Sequence, residues 1–142
     1  MRTPKNRGPA SSRKNIKKSN KMVKSRKRRR CSNRPYETHY LQVSHIHKIC
    51  YYEFGNPNGE PVFVIHGGPG DCSRFENAKL FDCSKYRIIF MNQRGCGKSK
   101  PFCEIKDNTT FELVEDIERV RIACGLGHRK VQMFGVSWGT FL

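Results

Sequence analysis

Apolar residues are sparse over the first 35 positions of the chain and then recur in short, regular groups to the last residue. "HYLQV" and "HKICYYEF" read as two short strands separated by the polar Ser44 and His45, and "GNPNGE" is a turn signal before the next run. "PVFVI" (61–65) is apolar throughout, as expected of a strand covered on both faces. A weakly helical piece over 74–81 leads to "YRIIFMN", a second buried strand, and then to the glycine-broken loop "QRGCGKSKP".

The clearest helix spans 110–124. Phe111, Val114, Ile117, Val120 and Cys124 recur at three- and four-residue steps and predict one apolar stripe. Thr109, with Glu112 three residues on, makes a capping box, and Gly125 supplies the stop. "KVQMF" then gives a third buried strand. Apolar strands alternating with helical segments predict an α/β domain over 36–142, built on a mostly parallel sheet with helices on both faces.

Charge separates the first 35 residues from that domain. They hold 15 Lys and Arg and no acid, whereas 36–142 hold 13 basic and 12 acidic residues, so nearly all of the net +16 belongs to the N-terminal segment. So much like charge with so little to bury predicts a disordered polybasic tail over 1–35. Its run "KSRKRRR" (24–30) is a candidate contact for nucleic acid or an acidic surface and a candidate nuclear address. The bland alternative is a solvated extension without a dedicated partner. The tail is also acid-free with some Ser, as organelle transit peptides are, but its Lys-rich pattern makes a poor amphipathic helix. It contains no apolar core of a secretory signal, and no stretch of the chain predicts a membrane span.

The seven cysteines are odd in number, evenly spread and without an export signal beside them, a pattern that predicts reduced thiols and a cytoplasmic protein, with nuclear or organellar residence as the alternatives. No two stand two to four residues apart, which argues against a zinc site of paired spacing. No metal or cofactor is expected.

Chemistry concentrates in two glycine-rich stretches at the carboxyl ends of predicted strands, where α/β sheets carry their sites. "GVSWG" places Ser137 between Gly135 and Gly139 after an apolar strand, the pattern of a nucleophile on a sharp strand-to-helix turn. There the amide of Trp138 would face a developing oxyanion. "HGGPG" (His66, Gly67, Gly68, Pro69, Gly70) would bring a second amide donor, assigned to Gly68 with Gly67 as the alternative. A five-residue serine pattern arises by chance, and a loop serine is commonly only solvated. The preceding strand and the separate Gly-rich loop make the pair of motifs specific.

In order and with natural spacing, "YYEFGNPNGEPVFVIHGGPG", "KYRIIFMNQRGCGKSKP", "DNTTFELVEDIERVR" and "VQMFGVSWGT" closely resemble the proline iminopeptidases, serine aminopeptidases of the α/β-hydrolase fold. The resemblance covers 36–142 and implies the N-terminal half of that fold, ending at the nucleophile elbow. It further implies metal-free release of N-terminal proline from peptides, with Ser137 as nucleophile and the amides of Trp138 and Gly68 as oxyanion donors. In that family the catalytic Asp and His follow the serine, where this chain has only "WGTFL", so the 142 residues alone are expected to be inactive. The acids that bind the substrate's amine are likewise not among them. His66 belongs to the oxyanion loop, and a structural role is implied for its imidazole. Three positions depart from the family pattern: Val136 in place of Gly, Asn92 in place of the Asp of a "DQRG" stretch, and "DCSR" in a loop that is often richer in glycine. The alternatives from other classes are a non-catalytic interaction protein and a polybasic nucleic-acid-binding protein.

Overall fold

The computed structural model describes residues 30–32 and 34–142. The basic run over 24–30, except Arg30, and most of the predicted tail lie outside the described residues. Among the described residues five strands form one mixed sheet: β1 (Glu37–Gln42), β2 (Lys48–Gly55), β3 (Glu60–Ile65), β4 (Tyr86–Met91) and β5 (Gln132–Gly135), in the spatial order β1-β2-β4-β3-β5. The β1/β2 and β2/β4 ladders are antiparallel, and the β4/β3 and β3/β5 ladders are parallel. The sheet is therefore half antiparallel, not mostly parallel. β1 and β2 are joined by a hairpin, which reverses direction, whereas β3, β4 and β5 are joined by crossovers long enough to return parallel.

Alternate side chains of the central strands feed two cores. On one face Ile49, Tyr51, Phe63, Ile65, Ile89 and Met91 pack against α1 (Thr110–Ala123). On the other, Cys50, Tyr52, Phe54, Val62, Val64, Ile88 and Phe90 pack against the 3₁₀ segment Phe75–Leu80, chiefly through Phe75 and Ala78. Burying each large apolar side chain contributes about 1.5–3 kcal/mol, and cover on both faces explains why "PVFVI" and "YRIIFM" are apolar without alternation.

α1 starts and stops where the pattern predicts, but its buried face is rotated. Thr109 Oγ1 accepts the Glu112 amide at 3.3 Å, the first half of a capping box. Glu112 turns its carboxylate to Arg94 instead of closing that box. At the other end Gly125 takes φ 74°, with Leu126 N–H on Arg121 O and Gly125 N–H on Ile122 O, a Schellman stop. The buried residues are Leu113, Asp116, Ile117 and Val120, whereas Phe111 is 83% exposed and Val114 41%. The predicted stripe fails at its N-terminal end because Arg94 draws Asp116 inward, which turns Phe111 and Val114 toward solvent.

β5 is not fully buried as predicted. It lies at the sheet edge, pairing with β3 alone among the described residues, and Met133 is 49% exposed.

The cysteine prediction also needs correction: Cys31 and Cys83 form a disulfide across 52 positions, while the other five thiols are free. Sequence spacing cannot show that the fold brings the two Cα atoms to 5.2 Å, within bridging reach. Cys31 is buried in the second core although it falls inside the stretch assigned to the tail.

Candidate active site

β3 and β5 are parallel neighbours with Ile65 opposite Gly135, so the loops that leave their carboxyl ends emerge side by side. One loop is "HGGPG" and the other is the turn that carries Ser137. Val136 N–H donates to Ile65 O at 3.1 Å, which pins the turn to the end of β3.

Ser137 opens the short 3₁₀ segment Ser137–Thr140 with φ 51°, a left-handed conformation that L-residues other than Gly avoid. Such a backbone is characteristic of functional turns, where the surroundings hold the strain. Two glycines make the turn feasible. A Cβ on Gly135 would lie 2.3 Å from Gly139 O, and one on Gly139 would lie 2.5 Å from Ile65 O. Ser137 is solvent-exposed, and its Oγ has no hydrogen-bond partner among the described residues.

The "HGGPG" loop leans on this serine. A Cβ on Gly67 would meet Val136 O at 3.0 Å and Ser137 Cβ at 3.1 Å, so its backbone passes directly beside the nucleophile candidate. Gly68 has φ 124°, and a side chain there would collide with the Gly70 and Asp71 amides, 2.5 and 2.8 Å away. Pro69 and Gly70 continue the loop and line a small cleft together with Gln93, Cys96 and Trp138. The Trp138 ring stacks on Phe141 at 5.9 Å between centroids.

His66 is committed within the loop. Its Nε2 accepts the Gln93 amide at 3.0 Å, so the proton sits on Nδ1, which donates to Gly67 O at 2.8 Å. Gln93 Nε2 also donates to His66 O. Burial lowers the imidazole's pKa, against smaller opposing effects of the Gly67 carbonyl and Asp71, and favours the neutral ring. With both nitrogens occupied, this ring braces the loop and leaves no lone pair for Ser137.

The "NQRG" stretch after β4 supplies the bracing that sequence reasoning missed. Asn92 accepts the Ser73 amide at 2.9 Å and donates to Tyr52 Oη at 3.1 Å, fixing the "DCSR" loop to β2. Arg94, with no exposed side-chain surface, makes a two-pronged pair with Asp116 and a third bond to Glu112. One signal was available: Asp116 stands three residues after Leu113 and four before Val120, in line with apolar positions.

A cleft of about 520 Å³ opens beside Ser137. Val64, Phe90, Phe134 and Leu80 make its apolar lining, and Asp71, Arg74 and Asn77 its polar rim. Among the described residues, the grouping of metal-ligand type is Glu37, His39 and Glu53, and it does not include Ser137. There Glu53 is already held by the Arg87 fork and the Tyr36 hydroxyl, so an ion-pair network occupies the carboxylate a cation would need. Among the described residues no helix is long and apolar enough to cross a membrane.

A left-handed serine between a parallel strand and a short helix, faced by a glycine loop from the neighbouring strand, defines the elbow of an α/β hydrolase. The profile of the alpha/beta hydrolase fold family matches residues 60–142, and the chain belongs to that family. Within it the chain is similar to the proline iminopeptidase of Neisseria meningitidis serogroup A, with 48% identity over 108 residues, covering 76% of this chain and 34% of that protein. Against the proline iminopeptidase of Arabidopsis thaliana the identity is 41% over 111 residues, covering 76% and 28%. Among solved structures, a proline iminopeptidase-related protein from Thermus thermophilus superposes with a TM-score of 0.63 at 26% identity, covering 74% of this chain and 37% of that one. An epoxide hydrolase from Vigna radiata also gives 0.63 at 26% identity, covering 78% and 34%. The chain thus spans about a third of the length of the curated relatives it matches.

Proposed function

We propose that this chain carries the nucleophile and oxyanion hole of a serine aminopeptidase that releases N-terminal proline from peptides. The observation that carries the reading is the left-handed Ser137 with the Gly67 backbone against it. The 41–48% identity to proline iminopeptidases narrows the substrate from acyl compounds in general to peptides beginning with proline.

In this reading Ser137 Oγ attacks the carbonyl carbon of the N-terminal proline residue, and the carbonyl electron pair moves onto oxygen. The amides of Trp138 and Gly68 hold that oxyanion, with Gly67 as the alternative second donor. Collapse of the tetrahedral intermediate expels the amine of the shortened peptide, and water then releases proline from the prolyl ester. The apolar lining of Val64, Phe90 and Phe134 suits a pyrrolidine ring.

Attack also requires a base to take the Ser137 proton, and the described residues provide none. The 142 residues alone are therefore proposed to turn over only at a trace rate, because loss of a triad member leaves only what binding and the oxyanion hole supply.

A chimera tests the reading by joining this chain to the C-terminal two thirds of a proline iminopeptidase relative. A folded, monomeric chimera should hydrolyse proline arylamide, prefer it to leucine arylamide, and lose the activity with Ser137→Ala. A folded chimera that is inactive, indifferent to the first residue, or unaffected by the substitution would overturn it.

A further inference from the structure

The Cys31–Cys83 pair lies outside the machinery assigned to Ser137, yet it touches the same wall of the cleft. Cys83 follows the 3₁₀ segment Phe75–Leu80, whose Asn77 and Leu80 line the cleft. Cys31, Cys83, Phe75, Phe81 and Phe134 share one apolar cluster with Val64 and Phe90, two more residues of the cleft lining. Phe81, two residues from Cys83, packs edge-on against Phe134 at 5.6 Å between centroids. The connection from disulfide to cleft is thus a short series of packed side chains.

The pair also borders a second cleft, with Cys83 as its half-buried member and Cys31 buried behind it. This cleft, of about 400 Å³, is lined by Cys31, Cys83, Arg30, Arg34, Tyr36 and Gly55. Gly55 has φ 81°, and a Cβ there would lie 3.5 Å from Cys83 Sγ, an ordinary contact distance that places the sulfur over the end of β2. Arg30 and Arg34 put positive charge on the rim of the cleft that the sulfurs line, which attracts anionic small thiols. Of the five free thiols, Cys50, Cys96 and Cys124 are buried, and Cys72 and Cys103 are exposed but have no second sulfur bonded to them.

We propose that Cys31–Cys83 is a redox-responsive staple, exchanged with an anionic low-molecular-weight thiol–disulfide couple such as glutathione, that holds the Phe75–Leu80 wall of the Ser137 cleft. To close it, the Cys83 thiolate attacks oxidised glutathione and releases one glutathione thiolate. The Cys31 thiolate then attacks the Cys83 sulfur of the mixed disulfide and expels the second. Two protein thiols are oxidised, one small disulfide is reduced to two thiols, and the two protons end on the departing glutathiones. Opening reverses these steps with two reduced glutathiones. Release removes the covalent restraint on the segment between Phe75 and Cys83. The staple acts on the cleft wall whatever reaction Ser137 performs.

The test uses the full 142-residue chain in glutathione buffers of rising oxidised fraction, with trapped thiols mapped by mass spectrometry and amide exchange followed in both states. The expected result is one linked peptide pair containing Cys31 and Cys83. On reduction, exchange over 75–81 should rise by about tenfold while β2 and β4 stay unchanged, because local openings depend on local restraints. Cys31→Ser should show the faster exchange in either buffer and no further response to reductant. The proposal is overturned if both thiols stay free in oxidising buffer, if the bond forms but its reduction leaves 75–81 unchanged, or if Cys31→Ser still responds.

Discussion

Arg94 and Asp116 form a two-pronged ion pair, at 2.6 and 2.9 Å, in which neither side chain reaches solvent. It joins the loop after β4 to the middle of α1. The same loop holds His66 through Gln93, so the pair supports the "HGGPG" loop at one remove.

Removing Asp116 takes two hydrogen bonds from a buried guanidinium and leaves the half-exposed Glu112 as its remaining carboxylate partner. Asp116→Ala is expected to cost about 3 kcal/mol in denaturant unfolding, the lower end for a broken buried pair, while Glu118→Ala, on the exposed side of the same helix, should change stability little. Equal losses at the two positions would show that Arg94 relaxes toward water without consequence.

The left-handed Ser137 stores strain that glycine would release. Ser137→Gly should raise unfolding stability by about 1 kcal/mol, although it removes the proposed nucleophile. A loss of stability in calorimetry would mean that the hydroxyl makes contacts worth more than the strain.

Close backbone approach at the elbow predicts a contrast between two glycines. Gly139→Ala places a methyl 2.5 Å from Ile65 O and should cost about 1–3 kcal/mol, whereas Gly127→Ala meets nothing nearer than Ile122 Cγ1 at 3.8 Å and should be nearly neutral. Thermal unfolding of the two variants side by side decides it.

Two buried groups, His66 and Glu53, contribute to the acid limb of stability. Burial lowers the His66 pKa, so the folded state binds its proton less readily than the unfolded chain; the contribution is complete above about pH 6.5 and is lost as pH falls through the folded value. For Glu53, burial alone would raise the pKa, but the Arg87 fork and the Tyr36 hydroxyl outweigh it and hold the carboxyl below its ordinary value. Its contribution is complete above about pH 4.3 and is lost as pH falls through the folded value. Glu53→Gln should flatten the lower part of a stability-against-pH curve and leave the part near pH 6 intact.

At the other margin of the sheet, β5 has one hydrogen-bonded neighbour among the described residues, and Met133, Val136 and Phe141 are exposed beside it. The purified 142-residue chain should therefore self-associate as concentration rises, and Met133→Lys should reduce this in gel filtration. A monodisperse monomer with slow amide exchange through β5 would contradict the expectation.

Local pattern was enough to locate β1 to β4, the start and stop of α1 and the two glycine-rich loops. Each depends on neighbours in sequence: an apolar run, Thr109 before Glu112, Gly125 after the last turn. The order of motifs likewise carried the family. What local pattern could not supply was anything settled by which segments meet. Which face of α1 is buried depends on Arg94 from another loop, and the half-antiparallel sheet depends on how β1 and β2 are placed beside β4. Cys31 pairs with Cys83 across 52 positions because the fold closes that distance. Likewise, Ser137 and Gly67 lie 70 positions apart in the chain, and only parallel pairing of β3 with β5 puts their backbones in contact.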